Sequence, residues 1–418
     1  MSKDWEKVKL DEICVLNQSN TGNKFSFDEI EYIDISSVGE GVLLDTQKMF
    51  FKDAPSRAKR LVRNGSTILS TVRPNRRSFL YVKNPKPNVI VSTGFAVLDP
   101  LLSKVSSRFL YYVVTNQSFT DYLTANAKGA AYPAVDTEII KRADIIVPPL
   151  ATQRRIAAIL SAYDELIENN SRRIKILEEM ARMIYQEWFV KFRFPGHEQA
   201  KFVESPLGMI PVGWEVVCLE DICTKITDGS HWSPISVDKG YPMASVKDMH
   251  NWGFWVNECR KISFEDYGKL IKSNCKPLRN DILIAKDGSY LKHVFVVRES
   301  IEIVILSSIA ILRTNERVNP DFLAMTLKSS NTIARLKGFV SGVAIPRIVL
   351  KDFRKFQVIC PPISLQEKWF NATEPIFKIC CDLVKKNEIL KQTRDMLLPK
   401  LISGEIDVSN LDIPIEER

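Results

Sequence analysis

The side chains in this chain that could do chemistry are basic and amide groups gathered in a few loops. RPNRRSF at 73–79 follows a β-branched run. It combines guanidinium donors with an amide, the groups that read guanine and adenine edges in a major groove, and its candidates are Arg73, Asn75, Arg76 and Arg77. A second basic loop, KDGSYLKH at 286–293, occupies the matching place later in the chain and offers Lys286, Ser289, Tyr290, Lys292 and His293. DGSHWSP at 228–234 is turn-forming and presents His231 and Trp232, while Tyr132 and Arg347 flank equivalent prolines in GAAYPA and GVAIPR. Each of these loops is also compatible with a solvated hairpin tip.

The charge around the first loop favours an anionic partner. Residues 54–98 hold nine basic side chains, beginning with Arg57, Lys59 and Arg60, and no acidic one, although the whole chain carries only +8. Such a gap in acids within a folded domain predicts a phosphate-facing surface.

Catalysis is not written in the same way. There is no GxxxxGK[ST] loop for a triphosphate, no GxGxxG after a strand and no HExxH. The two Pro-Pro pairs, in VPPL and CPPI, lack the polar and aromatic neighbours of an amino-methyltransferase motif. Four histidines are not spaced for a metal, and eight cysteines include no CxxC pair. The cysteines read as buried thiols, with a zinc site from Cys218, Cys223, His231 or His250 as the alternative. The expectation is no catalytic residue, no metal and no cofactor bound by this chain. The charged start MSKDWEKVKL has no apolar leader core and the longest apolar run is strand-sized, so a cytoplasmic protein without a membrane segment is expected.

The elements that must position these loops repeat. WEKVKLDEIC at 5–14 returns as WEVVCLEDIC at 214–223, and from Phe109 against Phe322 onward the offset is a constant 213, as between Gly129 and Gly342. That is a duplicated unit, each copy holding short β-branched strands, a few helices and one long helix. After the first Pro-Pro pair, Ile156, Tyr163, Asn170, Leu177 and Ile184 alternate with Leu160, Ile167, Ile174, Ala181 and Trp188 in a five-heptad seam. An unbroken helix over 150–194 is predicted, of which the seam covers roughly 50 Å. Its partner is its own repeat: Trp369, Ile376, Leu383, Leu390 and Leu397 copy the first seam, whereas Thr373, Cys380, Asn387 and Arg394 make the second seam polar. Pro375 is predicted to kink or restart this second helix.

The predicted fold is α+β: two strand-rich mixed globular domains joined by two long helices that pair as an antiparallel coiled coil, with an internal pseudo-twofold repeat. Expected boundaries are 1–149 and 214–362 for the domains, 150–194 and 363–403 for the helices, 195–213 for a linker, and 404–418 for a tail. The chain reads as if cut from a circle, with Ile413 and Pro414 packing near Trp5.

With two globular domains each followed by a PPLATQRRIAAIL or PPISLQEK helix, with ARMIYQEWFVKFRFPGHE and LLPKLISGEI closing those helices, and with DGSHWSP, the chain resembles the specificity subunits of type I restriction-modification systems over nearly its whole length. The resemblance implies a non-catalytic subunit whose two target recognition domains each read half of a split double-stranded DNA sequence. It also implies that the helices act as spacer and docking surface for two methyltransferase subunits, that motor-nuclease subunits join the complex, and that these partners use S-adenosylmethionine, ATP and Mg. A pair of readers on such a spacer would address major-groove half-sites about 34 to 36 Å apart. The alternative reading is a coiled-coil adaptor whose globular ends bind proteins.

Overall fold

A computed structural model describes residues 5–22, 25–288, 292–336, 340–341 and 347–413. The chain divides into two compact units, one of Met1–Asn169 with Asn387–Arg418 and the other of Asn170–Lys386. Each unit therefore owns one half of each long helix.

In the first unit, Glu6–Lys9 pairs antiparallel with Asp144–Val147, so the end of the globular part closes onto its beginning. The central antiparallel sheet runs in the order Cys14–Leu16, Phe95–Pro100, Thr67–Ser70, Phe79–Tyr81. Phe95–Pro100 is buried along its whole length, as expected of a strand covered on both faces. A second sheet, Gln47–Phe50, Glu29–Ile33, Val89–Ser92, Ala58–Leu61, contains one parallel pair.

The second unit repeats this order with Cys223–Asp228, Ile309–Thr314, Ile282–Ala285 and Val294–Val296. A further sheet in this unit has three strands, Arg260–Ile262, Tyr241–Ala244 and Val304–Ile305. Cys14 and Cys223 are buried free thiols, each pushed up to about 12 by burial.

The apolar run after each central sheet forms two helices: Ser107–Thr115 then Gln117–Ala125, and Pro320–Lys328 then Ser330–Leu336. Asn116 makes the break, because its side chain accepts a hydrogen bond from Phe119 N and caps a new helix.

The first long helix spans Leu150–Tyr185 and continues as a π-helical turn over Gln186–Val190. The second spans Ile363–Ile402 without a restart, passing through Pro375. Pro375 is exposed, so the carbonyl deprived of its intrahelical donor lies on a watered face. Residues 195–213 hold a short hairpin, Phe202–Ser205 with Gly208–Pro211, where only a linker was expected.

The helices run antiparallel within each unit. In the first, Ile156 and Leu160 share a core with Leu397 and Leu401, and farther along Asp164 meets Arg394. In the second, Tyr185 and Phe189 stack their edges around Trp369 at centroid distances of 6.1 and 5.8 Å. In the polar half of the second seam, buried Thr373 Oγ1 donates to Trp369 O, and half-buried Asn387 Nδ2 donates to Ile167 O at 3.4 Å.

The tail packs within the first unit. Val408 is buried in its core, and Arg155 Nε donates to Leu411 O at 3.0 Å. Gly404 sits at φ +75° against the Trp5 indole, where a Cβ would come within 3.2 Å of the ring. Trp5 thus packs at residue 404, nearer the helix than the expected Ile413, which is half-buried; Pro414 lies outside the described residues.

Candidate nucleic-acid interface

In the first unit the loop after Thr67–Ser70 turns through Pro74–Arg76, flanked by left-handed Arg73 (φ 49°) and Arg77 (φ 54°). Two non-glycine residues in that region cost on the order of 1 kcal/mol or more each, and the surroundings must hold them. The GAAYPA loop does so. Arg73 N donates to Pro133 O (2.7 Å), Val135 N donates to Thr71 O (2.8 Å), and Arg73 Nη2 donates to Ala131 O (3.1 Å). The Arg73 guanidinium lies 4.4 Å above the ring of Tyr132, which is 70% exposed. Two loops 58 residues apart in sequence, from Arg73 to Ala131, therefore make one platform.

That platform borders an open depression of about 1000 Å³ to which Arg57, Arg73, Arg76 and Tyr132 all contribute. Asn75 and Arg76 project from the tip, exposed, and among the described residues the Arg57 and Arg76 guanidinium groups have no partner. Unpaired guanidinium groups above an apolar-backed sheet suit phosphate or base-edge contact.

Two predicted contacts are instead committed to the protein. Arg77 turns inward, 3.1 Å from Glu40, and donates to Gln117 Oε1, Thr120 Oγ1 and Thr115 O. Its left-handed backbone aims the side chain away from the loop tip. Arg60 hydrogen-bonds Asn17 Oδ1, and partial burial lowers its pKa.

In the second unit DGSHWSP is held just as firmly. A Cβ on Gly229 would lie 2.2 Å from Ile305 O, so only glycine lets the backbones approach. Ser230 Oγ accepts from Trp232 N, and Arg260 donates to Pro234 O and Ser233 Oγ. His231 and Trp232 are left exposed. Ile348 N donates to Lys286 O and Asp287 bridges Arg347, the same loop pairing as in the first unit.

Lys286 departs from expectation. It is 2% exposed, its Nζ 2.7 Å from Asp228, so it braces DGSHWSP from beneath rather than facing solvent. Arg347 is exposed at 3.4 Å from Asp287. Lys292 is exposed but lines a different cavity, beside Glu178 and Trp252. His293 is half-buried near Asn251, its pKa lowered by burial and then by Lys292 and Lys328. Ser289 and Tyr290 lie outside the described residues.

Sequence reasoning missed Thr71, Thr93 and Asp34, which line the first depression, and Arg260, the brace of the second loop. Only the fold brings these to the loops, and no local spacing marks them. Among the described residues no cluster of His, Cys, Asp and Glu is arranged to hold a metal, and no helix is long and apolar enough to cross a membrane.

A profile of the type I restriction modification DNA specificity domain matches residues 2–179 and 211–394. The chain is 27% identical over 353 residues to the type I restriction enzyme MjaIX specificity subunit of Methanocaldococcus jannaschii, covering 82% of this chain and 78% of that protein. It is 23% identical to the HindI specificity subunit of Haemophilus influenzae, over 96% of this chain and all of that one. The crystal structure of a type I restriction-modification S subunit from M. genitalium shares the fold at TM-score 0.56 and 17% identity, covering 96% of this chain and 97% of that chain.

Proposed function

The chain belongs to the type I restriction modification DNA specificity family, and from that premise we propose that each unit reads one half of a bipartite duplex target and that the chain itself catalyses nothing. The observation that carries this reading is the loop pairing found at equivalent places in both units: 71–73 pinned to 133–135 in one, 286–287 pinned to 347–348 in the other. In the first unit Arg57, Asn75 and Arg76 are the contacts, and Arg73 stiffened on Tyr132 supports them. In the second they are His231, Trp232 and Arg347. Guanidinium and amide groups would take base edges, and the remaining basic side chains phosphates.

Docking of two methyltransferase subunits has its own support. Leu166, Ile389 and Met396 in the first unit are exposed apolar helix residues, and at an offset of 213 they match Ile379, Ile176 and Met183, equally exposed, in the second. Each unit thus offers the same water-facing apolar set, the mark of a protein contact surface. We assign S-adenosylmethionine to those partners, ATP and Mg to motor-nuclease subunits, the spacer role to the helices and the site of action to the cytoplasm.

Binding of the chain, with its methyltransferase partner, to random-sequence duplex at two salt concentrations tests the reading. A DNA reader loses affinity steeply with salt, and Arg57→Ala lowers the slope by about one. Salt-independent binding, or none, would favour a protein adaptor instead.

A further inference from the structure

The two units solve the same packing problem differently. In the first, Tyr112, Asp164 and Arg394 meet between the globular part and the helices, Tyr112 Oη donating to Asp164 Oδ2 and Arg394 Nη1 to Asp164 Oδ1. The residues 213 positions away are Met325, Phe377 and Ala181. Where the first unit has a guanidinium, the second has a methyl group, and a cavity of about 420 Å³ lined by all three opens there. We propose that this cavity binds a small aromatic carboxylate.

The walls supply both halves of such a ligand's chemistry. Trp252, Tyr185, Phe295 and Phe377 line it with rings, and the volume is at the low end of small-molecule sites, enough for a one-ring body. Apart from the exposed Lys292 at its rim, its charges are paired except for one among the described residues. Arg298 forks onto Asp321, and Trp252 Nε1 donates to Glu178 Oε1 at 2.7 Å. Lys328 is only partly exposed and has no hydrogen-bond or ion-pair partner among the described residues; its ammonium lies 5.8 Å over the Trp252 ring. Burial lowers its pKa, against the opposing pull of Glu178 and Asp321. An ammonium in that setting is short of one acceptor, and a carboxylate hydrogen-bonds it while its ring fills the space beside Ala181. The ligand would tie the helix turn carrying Glu178 and Ala181 to the domain, as Arg394 does in the first unit.

Calorimetric titration of the full chain with phenylacetate, benzyl alcohol and inorganic phosphate tests the assignment. Phenylacetate should bind at least about tenfold more tightly than the other two, the worth of one charge-assisted hydrogen bond. Lys328→Met, which keeps the stem and removes the charge, should erase that preference. Ala181→Met, which fills the space, should abolish binding without disturbing Lys328. Equal affinity for the three probes, phenylacetate binding unchanged in both variants, or no heat with any probe while the chain remains folded would overturn the proposal.

Discussion

At equivalent positions the first unit joins helix to domain with charge, through Tyr112, Asp164 and Arg394, and the second has the apolar Met325, Phe377 and Ala181. Arg394 is a quarter exposed in its side chain and bonded to Asp164 and Asp395. Burial works to lower its pKa, and Asp164 overrides that and raises it. Tyr112 is pushed up by burial and then by the same carboxylate. Beside these the second unit puts Trp369, wholly buried, among Tyr185, Phe189, Phe322 and Phe377, where the first unit has the buried Ile156. A duplicated fold thus keeps its backbone while exchanging a charged, hydrogen-bonded set for an apolar one and, at another position, an aliphatic core residue for a tryptophan. The charged layer depends on completeness, the aromatic layer on shape.

The largest effect should follow from breaking shape. Trp369→Ala removes the centre of the aromatic layer and should cost about 3–5 kcal/mol in a denaturant titration. Trp369→Phe should cost much less, because among the described residues the indole Nε1 has no hydrogen-bond partner to lose. Breaking completeness comes next. Arg394→Ala leaves Asp164 without its cation, bonded to Tyr112, and should cost about 2–3 kcal/mol, below the figure for a fully buried pair because the site is partly solvated. Converting the whole layer to the residues of the second unit, Tyr112→Met with Asp164→Phe and Arg394→Ala, should cost less than Arg394→Ala alone; a larger loss would refute the equivalence of the two solutions.

A smaller difference separates neighbouring arginines. Arg77→Ala breaks a partly buried ion pair and three hydrogen bonds and should cost about 1–2 kcal/mol of stability. Arg76→Ala should change stability by no more than about 0.5 kcal/mol, since its guanidinium is unpaired and exposed, and should act on DNA alone. Equal effects of the two on stability would contradict the division between brace and reader.

The sequence showed the duplication, the antiparallel helices and the loops at matching places, though not that the loops meet, because heptads, Pro-Pro punctuation and the 213-residue offset are local or periodic signals. It could not show that Arg77 and Lys286 turn inward. Their direction depends on a left-handed φ in one case and on Asp228, 58 positions away, in the other. The second seam read as poor for a related reason: Asn387 and Arg394 find partners at Ile167 and Asp164, 220 and 230 positions away, which no single-helix pattern displays. Pro375 is tolerated because it faces water, and its exposure depends on which side the partner helix covers.

The central claim is that each unit reads its own half of the target. Selection of bound duplexes from a random pool, by the chain with its methyltransferase partner, should return two fixed sequence blocks separated by unread base pairs. The same selection with Arg76→Ala should relax about one position in one block, at about 1–3 kcal/mol per lost base contact, and leave the other block unchanged. A variant that altered both blocks together, or a wild-type chain that returned a single uninterrupted block, would contradict the account.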